Sequence, residues 1–515
     1  MKKQSLIRGS LILGVAGIMS KMLGIFFRWP IIMLLKDEGV GYYQLPFPFY
    51  MMFISFIGGV PVAVSKLVSE AMAEEKEEEA YEILRQAMKF TMFMAIGTTV
   101  ILLLGSKYII KLFNWDSNVY MSFMAMAITP IMVAAVTTYR GFFQGMQNMN
   151  PTAISQVIEQ VGRVIFGVLL AYILLPYGIA YGAAGAALGA GIGGFCGGIY
   201  LYIKYKKIKP KFKSKTNISK DVMAKIFDIA IPIGIGMLVT GLMGLADSLL
   251  IPKMLVKSGY TTKEATIIFA QFSGKANVLV NLPLSLSVAL SASMIPIISE
   301  HCKLKQFAQL KDKVSMAMKF SFVIAFPAFL GLFFLAEPIL ELIFPGQAQG
   351  YEILKYLSIS IPFIIVCQTV ISVLQACGKL KEPIIFLMIG VVVKVLINIY
   401  LIPVDEIGIN GAVIGSIMGY LIPAIMSVVY MEYILKNKLH QERVDYLNVM
   451  IKPLIASVIM IIGVMAAYIY LLGLNNSMKR ASLISISLGI IIYIVSIVIL
   501  GVFKYDYIKD KFVKR

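Results

Sequence analysis

Charge is scarce in this chain of 515 residues: 15% are Asp, Glu, Lys or Arg, against 59% hydrophobic, and the mean hydropathy is +0.82. Soluble domains carry about 25% charged residues. A soluble fold this poor in charge could not clothe its own surface, so lipid is the expected solvent for most of it. Histidine is scarcer still. His301 and His440 are the two present, both in basic stretches, which argues against a histidine metal centre or proton relay. The four cysteines, Cys196, Cys302, Cys367 and Cys377, share no short ligand spacing. Cys196 and Cys367 sit in apolar runs, where a free cysteine behaves as a small hydrophobe. Neither a disulfide framework nor a zinc site is expected. The chain also lacks a P-loop, an HExxH and a dinucleotide-binding glycine fingerprint. Nothing in it is built to hydrolyse ATP, and no metal or cofactor is implied.

What the chain has in abundance is long apolar runs. The basic start, Lys2, Lys3 and Arg8, followed by such a run, superficially resembles a signal peptide. The run continues to about Leu35 with no small-residue cleavage site, so it reads as a retained first span. A spanning helix needs about 20 mostly apolar residues. By that measure spans fall near 10–35, 46–68, 88–113, 119–144, 153–175, 180–204, 225–251, 265–298, 317–344, 353–376, 384–403, 409–435, 450–473 and 480–503. The expected fold class is an all-α polytopic membrane protein with 14 transmembrane helices.

Lysine and arginine set the orientation. With the N-terminus in the cytoplasm, the inside segments hold 33 of them and the outside loops nine. Both termini and the basic segment 204–225 are therefore expected in the cytoplasm, with the chain in the cell membrane. The same asymmetry explains the net charge of +19, so no nucleic-acid partner is implied. The acidic run Glu74 to Glu79, interrupted by Lys76, reads as a solvated cytoplasmic helix end.

The chain also resembles itself. Ala87-Met88-Lys89-Phe90-Thr91 opens the third span and Ala317-Met318-Lys319-Phe320-Ser321 the ninth, an offset of 230. Ser69-Glu70 and Ser299-Glu300 repeat that offset. The glycine row Gly182, Gly185, Gly189, Gly193 returns as Gly408, Gly411, Gly415, Gly419. The expected organisation is one six-helix bundle over 1–210, a second over 222–440, and two additional helices over 449–503. Such a duplication suits alternating access. The glycine rows themselves are expected to serve close helix packing.

Five cations, Lys21, Arg28, Arg163, Lys275 and Lys394, fall inside predicted spans, against two acids, Glu159 and Asp247. Each cation costs about 2.5–3.5 kcal/mol at a helix centre, a cost tolerated where the group faces a wet cavity and binds something. Lys21 and Arg28 are two turns apart and share a helix face. Glu159 and Arg163 have the spacing and order of an intrahelical pair. Lys394 and Arg163 occupy equivalent helices of the two halves. The surplus of positive charge wants an anionic cargo, and phosphate oxygens suit these groups. A drug-cation exporter would show unpaired acids instead, with Asp247 as its ion-coupling candidate. A transferase would need an acid or base cluster at one membrane face, and none is present.

Several motifs are shared with a known group. Ser20-Lys21-Met22-Leu23-Gly24 with Arg28, Gly59-Val60-Pro61, Ser65-Lys66-Leu67-Val68-Ser69-Glu70, Arg140-Gly141 with Gln144-Gly145 and Pro151-Thr152-Ala153, Glu159-Gln160 with Arg163, and Asn281-Leu282-Pro283 resemble the stage V sporulation protein B group. That group belongs to the polysaccharide-transporter branch of the multidrug/oligosaccharidyl-lipid/polysaccharide exporter superfamily. The resemblance implies flipping of an undecaprenyl-diphosphate-linked sugar, lipid II or a close relative, for peptidoglycan or spore-cortex synthesis. It implies membrane lipid, a lipid-linked diphosphate oligosaccharide and a coupling cation as partners, and no enzymatic activity. A cation-coupled multidrug antiporter of the same superfamily is the alternative. MurJ-type lipid II flippases carry basic residues in the first helix, matched by Lys21 and, displaced by one position, Arg28. They also carry a cavity arginine in the eighth helix, where this chain reads Ala276-Asn277-Val278-Leu279-Val280-Asn281-Leu282-Pro283. Valine stands in place of that arginine and Asn281 in place of a glutamate, with Lys275 one turn earlier. The expected substrate-binding residues are Lys21, Arg28, Glu159, Arg163, Lys275, Asn281 and Lys394.

Overall fold

Long apolar runs in lipid can satisfy their backbone groups only as helices or closed barrels, and this chain takes the first route. The computed structural model describes residues 6–208, 220–304, 306–379, 381–438, 445–474 and 477–502, and among them there is no strand. They divide into two compact units, Met1–Ala270 and Gln271–Arg515.

The first unit holds α1 (Leu6–Gln44), α2 (Phe47–Ile57), α3 (Gly59–Ala73), α4 (Glu77–Leu112), α5 (Val119–Gly145), α6 (Met149–Leu174), α7 (Ile179–Ile208), α8 (Lys220–Lys257) and α9 (Thr262–Phe269). A π-helical stretch, Ala270–Ala276, precedes the helices of the second. These are α10 (Asn277–Lys303), α11 (Phe307–Phe334), α12 (Ala336–Ile343), α13 (Tyr351–Leu357), α14 (Ser360–Ala376), α15 (Lys381–Leu401), α16 (Asn410–Tyr433), α17 (Tyr446–Gly473) and α18 (Met478–Ile499).

Among the described residues, twelve helices are long and apolar enough to cross a membrane. A thirteenth arises if α13 and α14, bent by 44°, count as one span. The predicted span 265–298 overlaps the π-helical stretch and α10. Two spans differ from expectation in detail. The backbone leaves the helix at Lys36 (φ 53°, ψ −169°) and resumes to Gln44, where the sequence pattern ends at 35. There Glu38 pairs with Lys263 at 2.9 Å, which ties the resumed turn to α9. The second span runs on to Ala73 through the break at Gly58 between α2 and α3. Large aliphatic side chains along α18, such as Ile490, Ile494 and Ile499, are exposed, as lipid-facing residues are.

Each unit carries the same two devices at corresponding positions. Thr138 on α5 donates its hydroxyl to Thr91 of α4 at 3.0 Å, and Thr91 donates to the Ala87 carbonyl. In the second unit Ser321 of α11 and Thr369 of α14 share a hydrogen bond of 2.6 Å, and Ser321 donates to the Ala317 carbonyl. The four residues stand 230 and 231 positions apart. The second device is a glycine contact. Gly193 of α7 lies so near α6 that a Cβ would meet the Arg163 amide nitrogen at 2.7 Å. Gly419 of α16 lies against α15, where a Cβ would meet Lys394 Cβ at 3.1 Å.

One expectation is corrected. Cys302 and Cys377 form a disulfide, with Cα atoms 5.7 Å apart. The pair is 75 residues apart in sequence, but the C-terminal ends of α10 and α14 come together in one apolar cluster that both sulfurs border. Cys196 and Cys367 are free, as small hydrophobes in helices.

Candidate functional site

Two arginines and a set of aromatic rings meet inside the first unit. Arg28 lies on α1, one residue beyond Phe27, and its guanidinium carbon stands 6.0 Å from the ring centre of Tyr43. Arg163 comes from α6. Its Nη2 donates to the Tyr43 hydroxyl at 2.6 Å, and its guanidinium carbon lies 5.1 Å from Phe27 and 5.6 Å from Phe47. Tyr43 is fully buried and neighbours both cations, Arg28 near its ring and Arg163 at its hydroxyl. The rings pack among themselves, Phe27 to Tyr43 at 6.1 Å and Tyr43 to Phe47 at 6.0 Å.

The aromatic faces supply part of the stabilisation a buried cation needs, roughly 0.5–2 kcal/mol each. They do not supply acceptors. Nη1 of Arg28 and Nε of Arg163 are buried with no hydrogen-bond partner. Among the described residues neither arginine has a carboxylate within salt-bridge distance. A buried guanidinium nitrogen left without an acceptor is costly on its own. An anion between them would meet both deficits at once.

The acid expected to pair with Arg163 is occupied elsewhere. Glu159 accepts from Arg140 Nη2 of α5 at 2.7 Å. The i,i+4 spacing on α6 allowed a pair with Arg163; the incoming α5 arginine takes the carboxylate instead. Arg140 lies within α5 and also donates from Nε to Ser155 of α6 at 2.9 Å.

The remaining predicted residues lie apart from this cluster. Lys21 is exposed on α1. Asp247 is buried on α8. In the second unit Lys275 is fully buried and donates to the backbone carbonyls of Gln347 at 2.7 Å and Gln349 at 3.3 Å, in the turn between α12 and α13. Asn281 is exposed and donates to Asn277 one turn back. Lys394 is buried on α15 at the position matching Arg163, beside the Gly419 contact. The structure therefore brings together Arg28 and Arg163, with Glu159 one turn from the latter. Sequence reading missed Tyr43, Phe27 and Phe47. It also missed an apolar cavity of about 390 Å³ in the second unit, between α10, α11, α12, α17 and α18, lined by Leu282, Leu332, Val464, Ile490 and Tyr493 among others.

A family model described as polysaccharide biosynthesis protein matches residues 6–301, more than half of the chain. The chain belongs to that family. A second model, MatE, matches residues 274–400. The stage V sporulation protein B of Bacillus subtilis is 27% identical over 83% of this chain and 83% of its own length. The lipid II flippase MurJ of the same organism is 26% identical, covering 81% of this chain and 80% of its own. A solved structure of lipid II flippase MurJ in an inward closed conformation superposes with a TM-score of 0.70 at 19% identity, over 95% of this chain and 99% of that one. This member of the family is a multi-span membrane transporter.

Proposed function

We propose that this transporter flips a polyprenyl-diphosphate-linked sugar, a peptidoglycan precursor such as lipid II, across the cell membrane by alternating access. The observation that carries the reading is the Arg28–Tyr43–Arg163 site, with two half-buried arginines, one buried unpartnered nitrogen on each, and no carboxylate within salt-bridge distance among the described residues. A diphosphate offers the acceptors and the charge that such a site lacks, and guanidinium forks match phosphate oxygens. The apolar cavity of the second unit supports the lipid half of the reading, since its lining fits an isoprenoid chain and no headgroup. The paired hydroxyl bridges and glycine contacts support an ancestral duplication into bundles over 1–210 and 222–440 with two further helices over 449–503. Two relatives bear names of a sporulation protein and a lipid II flippase, which supports a role in cell-wall or spore-envelope synthesis.

The MatE match over 274–400 and the buried Asp247 favour one other reading, a cation-coupled multidrug antiporter. Binding separates the two. The purified protein in lipid nanodiscs should retain undecaprenyl diphosphate and be displaced from it by unlabelled diphosphate lipid, not by a lipophilic dye cation. Asp247→Asn should leave that binding in place and alter only its dependence on protons or sodium. Dye binding that Asp247→Asn abolishes, with no diphosphate binding, would establish the antiporter.

Orientation follows from the lysine and arginine asymmetry, with both termini in the cytoplasm. Single cysteines introduced at 215 and 510 of a cysteine-free variant should escape an impermeant maleimide on intact cells, and one at 260 should react. The opposite pattern would invert the topology.

A further inference from the structure

We infer that Arg140 is a positioning residue for the cargo site: by holding Glu159 it keeps Arg163 free to bind an anion. The inference rests on the diphosphate reading of that site and names a residue outside it that sets its charge.

Glu159 and Arg163 are four apart on α6 with the acid first, the order that favours an intrahelical ion pair. Left alone, the two would neutralise each other, and the site would lose half its positive charge. Arg140 intervenes from α5. Its Nη2 reaches Glu159 Oε2 at 2.7 Å, and its Nε donates to Ser155 Oγ, one turn before Glu159, at 2.9 Å. The fork thus spans a full turn of α6, which fixes both its direction and its partner. Ser155 is held in turn, donating to the Thr152 carbonyl at 2.7 Å, while Thr152 donates to the Arg140 carbonyl at 3.4 Å. Both members of the ion pair are mostly buried, with side chains 16% and 21% exposed. Water therefore screens the pair weakly, and a lost partner would not be replaced by solvent. Glu159 would then turn to the next cation on its own helix face, Arg163.

The test is a charge-rescue series on the full-length protein in lipid nanodiscs, read as the Kd for undecaprenyl diphosphate. Arg140→Gln should weaken binding about tenfold. The double variant Arg140→Gln, Glu159→Gln should return to within about threefold of wild type, because the competing carboxylate is gone. Glu159→Gln alone should bind about twofold more tightly. A merely structural ion pair would also recover when both partners are neutralised, so the Glu159→Gln single variant decides: it breaks the pair yet should tighten binding. A Glu159→Gln protein that binds more weakly than wild type overturns the inference, as does a double variant as weak as Arg140→Gln or an Arg140→Gln protein of unchanged affinity. If Arg140→Gln does not yield folded protein, Arg140→Lys serves: it retains the cation and should bind within about threefold of wild type, and a folded but non-binding Arg140→Lys protein overturns the inference. Arg163→Ala in the same assay keeps the two proposals distinct. Unchanged affinity there would sink the diphosphate site itself, whereas weakened Arg163→Ala beside an unaffected Arg140→Gln would sink only the role of Arg140.

Discussion

Arg163→Ala should weaken binding of a polyprenyl diphosphate by about 10- to 100-fold, the loss expected when one or two hydrogen bonds to a charged group disappear at ~1.5–3 kcal/mol. Arg163→Lys should recover part of that loss, since an ammonium holds phosphate as a point charge without the planar fork. The same substitution should leave the melting temperature of the empty protein unchanged or raise it. Arg163 is bounded by Phe27, Phe47 and the Tyr43 hydroxyl, with no carboxylate within salt-bridge distance among the described residues. Removing a half-buried cation relieves a desolvation cost that offsets the lost ring and hydroxyl contacts. Binding and stability would then move in opposite directions. If Arg163→Ala lowers the melting temperature by many degrees and spares affinity, the arginine is structural and the site is elsewhere.

The largest effect on folding is expected at Gly193. A side chain there would press into the α6 backbone, with Cβ at 2.7 Å from the Arg163 nitrogen and nearer still to the Glu159 carbonyl oxygen. Backbone cannot rotate out of the way as a side chain can, so Gly193→Leu must part the two helices. Overpacking of this kind costs about 1–3 kcal/mol or more, and here it also displaces the turn that carries Glu159 and Arg163. Little folded protein should survive detergent extraction and size-exclusion chromatography. Gly198→Ala, five residues on in the same helix, is the control. Its nearest neighbours would be the Val136 backbone and side chain at 3.9 and 4.0 Å, ordinary contact. Helix propensity then favours the alanine by up to about 1 kcal/mol. Equal recovery of both variants would contradict the close α6–α7 packing.

Hydropathy made most helices legible because a membrane span must be both long and apolar, and α5 through α7 fall where the apolar runs place them, to within a few residues. Breaks were harder to see. The departure at Lys36 and the bend between α13 and α14 leave the apolar composition untouched, so no compositional signal marks them. The repeat was visible in Ala87 to Thr91 and Ala317 to Ser321, and the last residue of each motif proved to bridge two helices. Its partners, Thr138 and Thr369, lie too far along the chain for a motif to reveal.

The candidate site was half legible for the same reason. Intramembrane cations announce themselves by their cost, which singled out Arg28 and Arg163. Their partners do not. Tyr43 is 120 residues from Arg163, and the Arg140–Glu159 pair spans two helices while the i,i+4 spacing pointed to Arg163. Lys275 shows the limit most plainly. Its ammonium is met by the carbonyls of Gln347 and Gln349, and backbone acceptors leave no mark in a sequence.

The central claim is that the chain moves an anionic lipid and that Arg28 and Arg163 hold its diphosphate. Reconstitution into liposomes with a fluorescent lipid II analogue, followed by reduction of outer-leaflet fluorophore with dithionite, measures this directly. Wild-type protein should render the inner-leaflet pool accessible, and the Arg28→Ala, Arg163→Ala double variant should leave about half the fluorescence protected, as in protein-free vesicles. Protection that is equal with and without wild-type protein, or flipping undiminished in the double variant, would contradict the account.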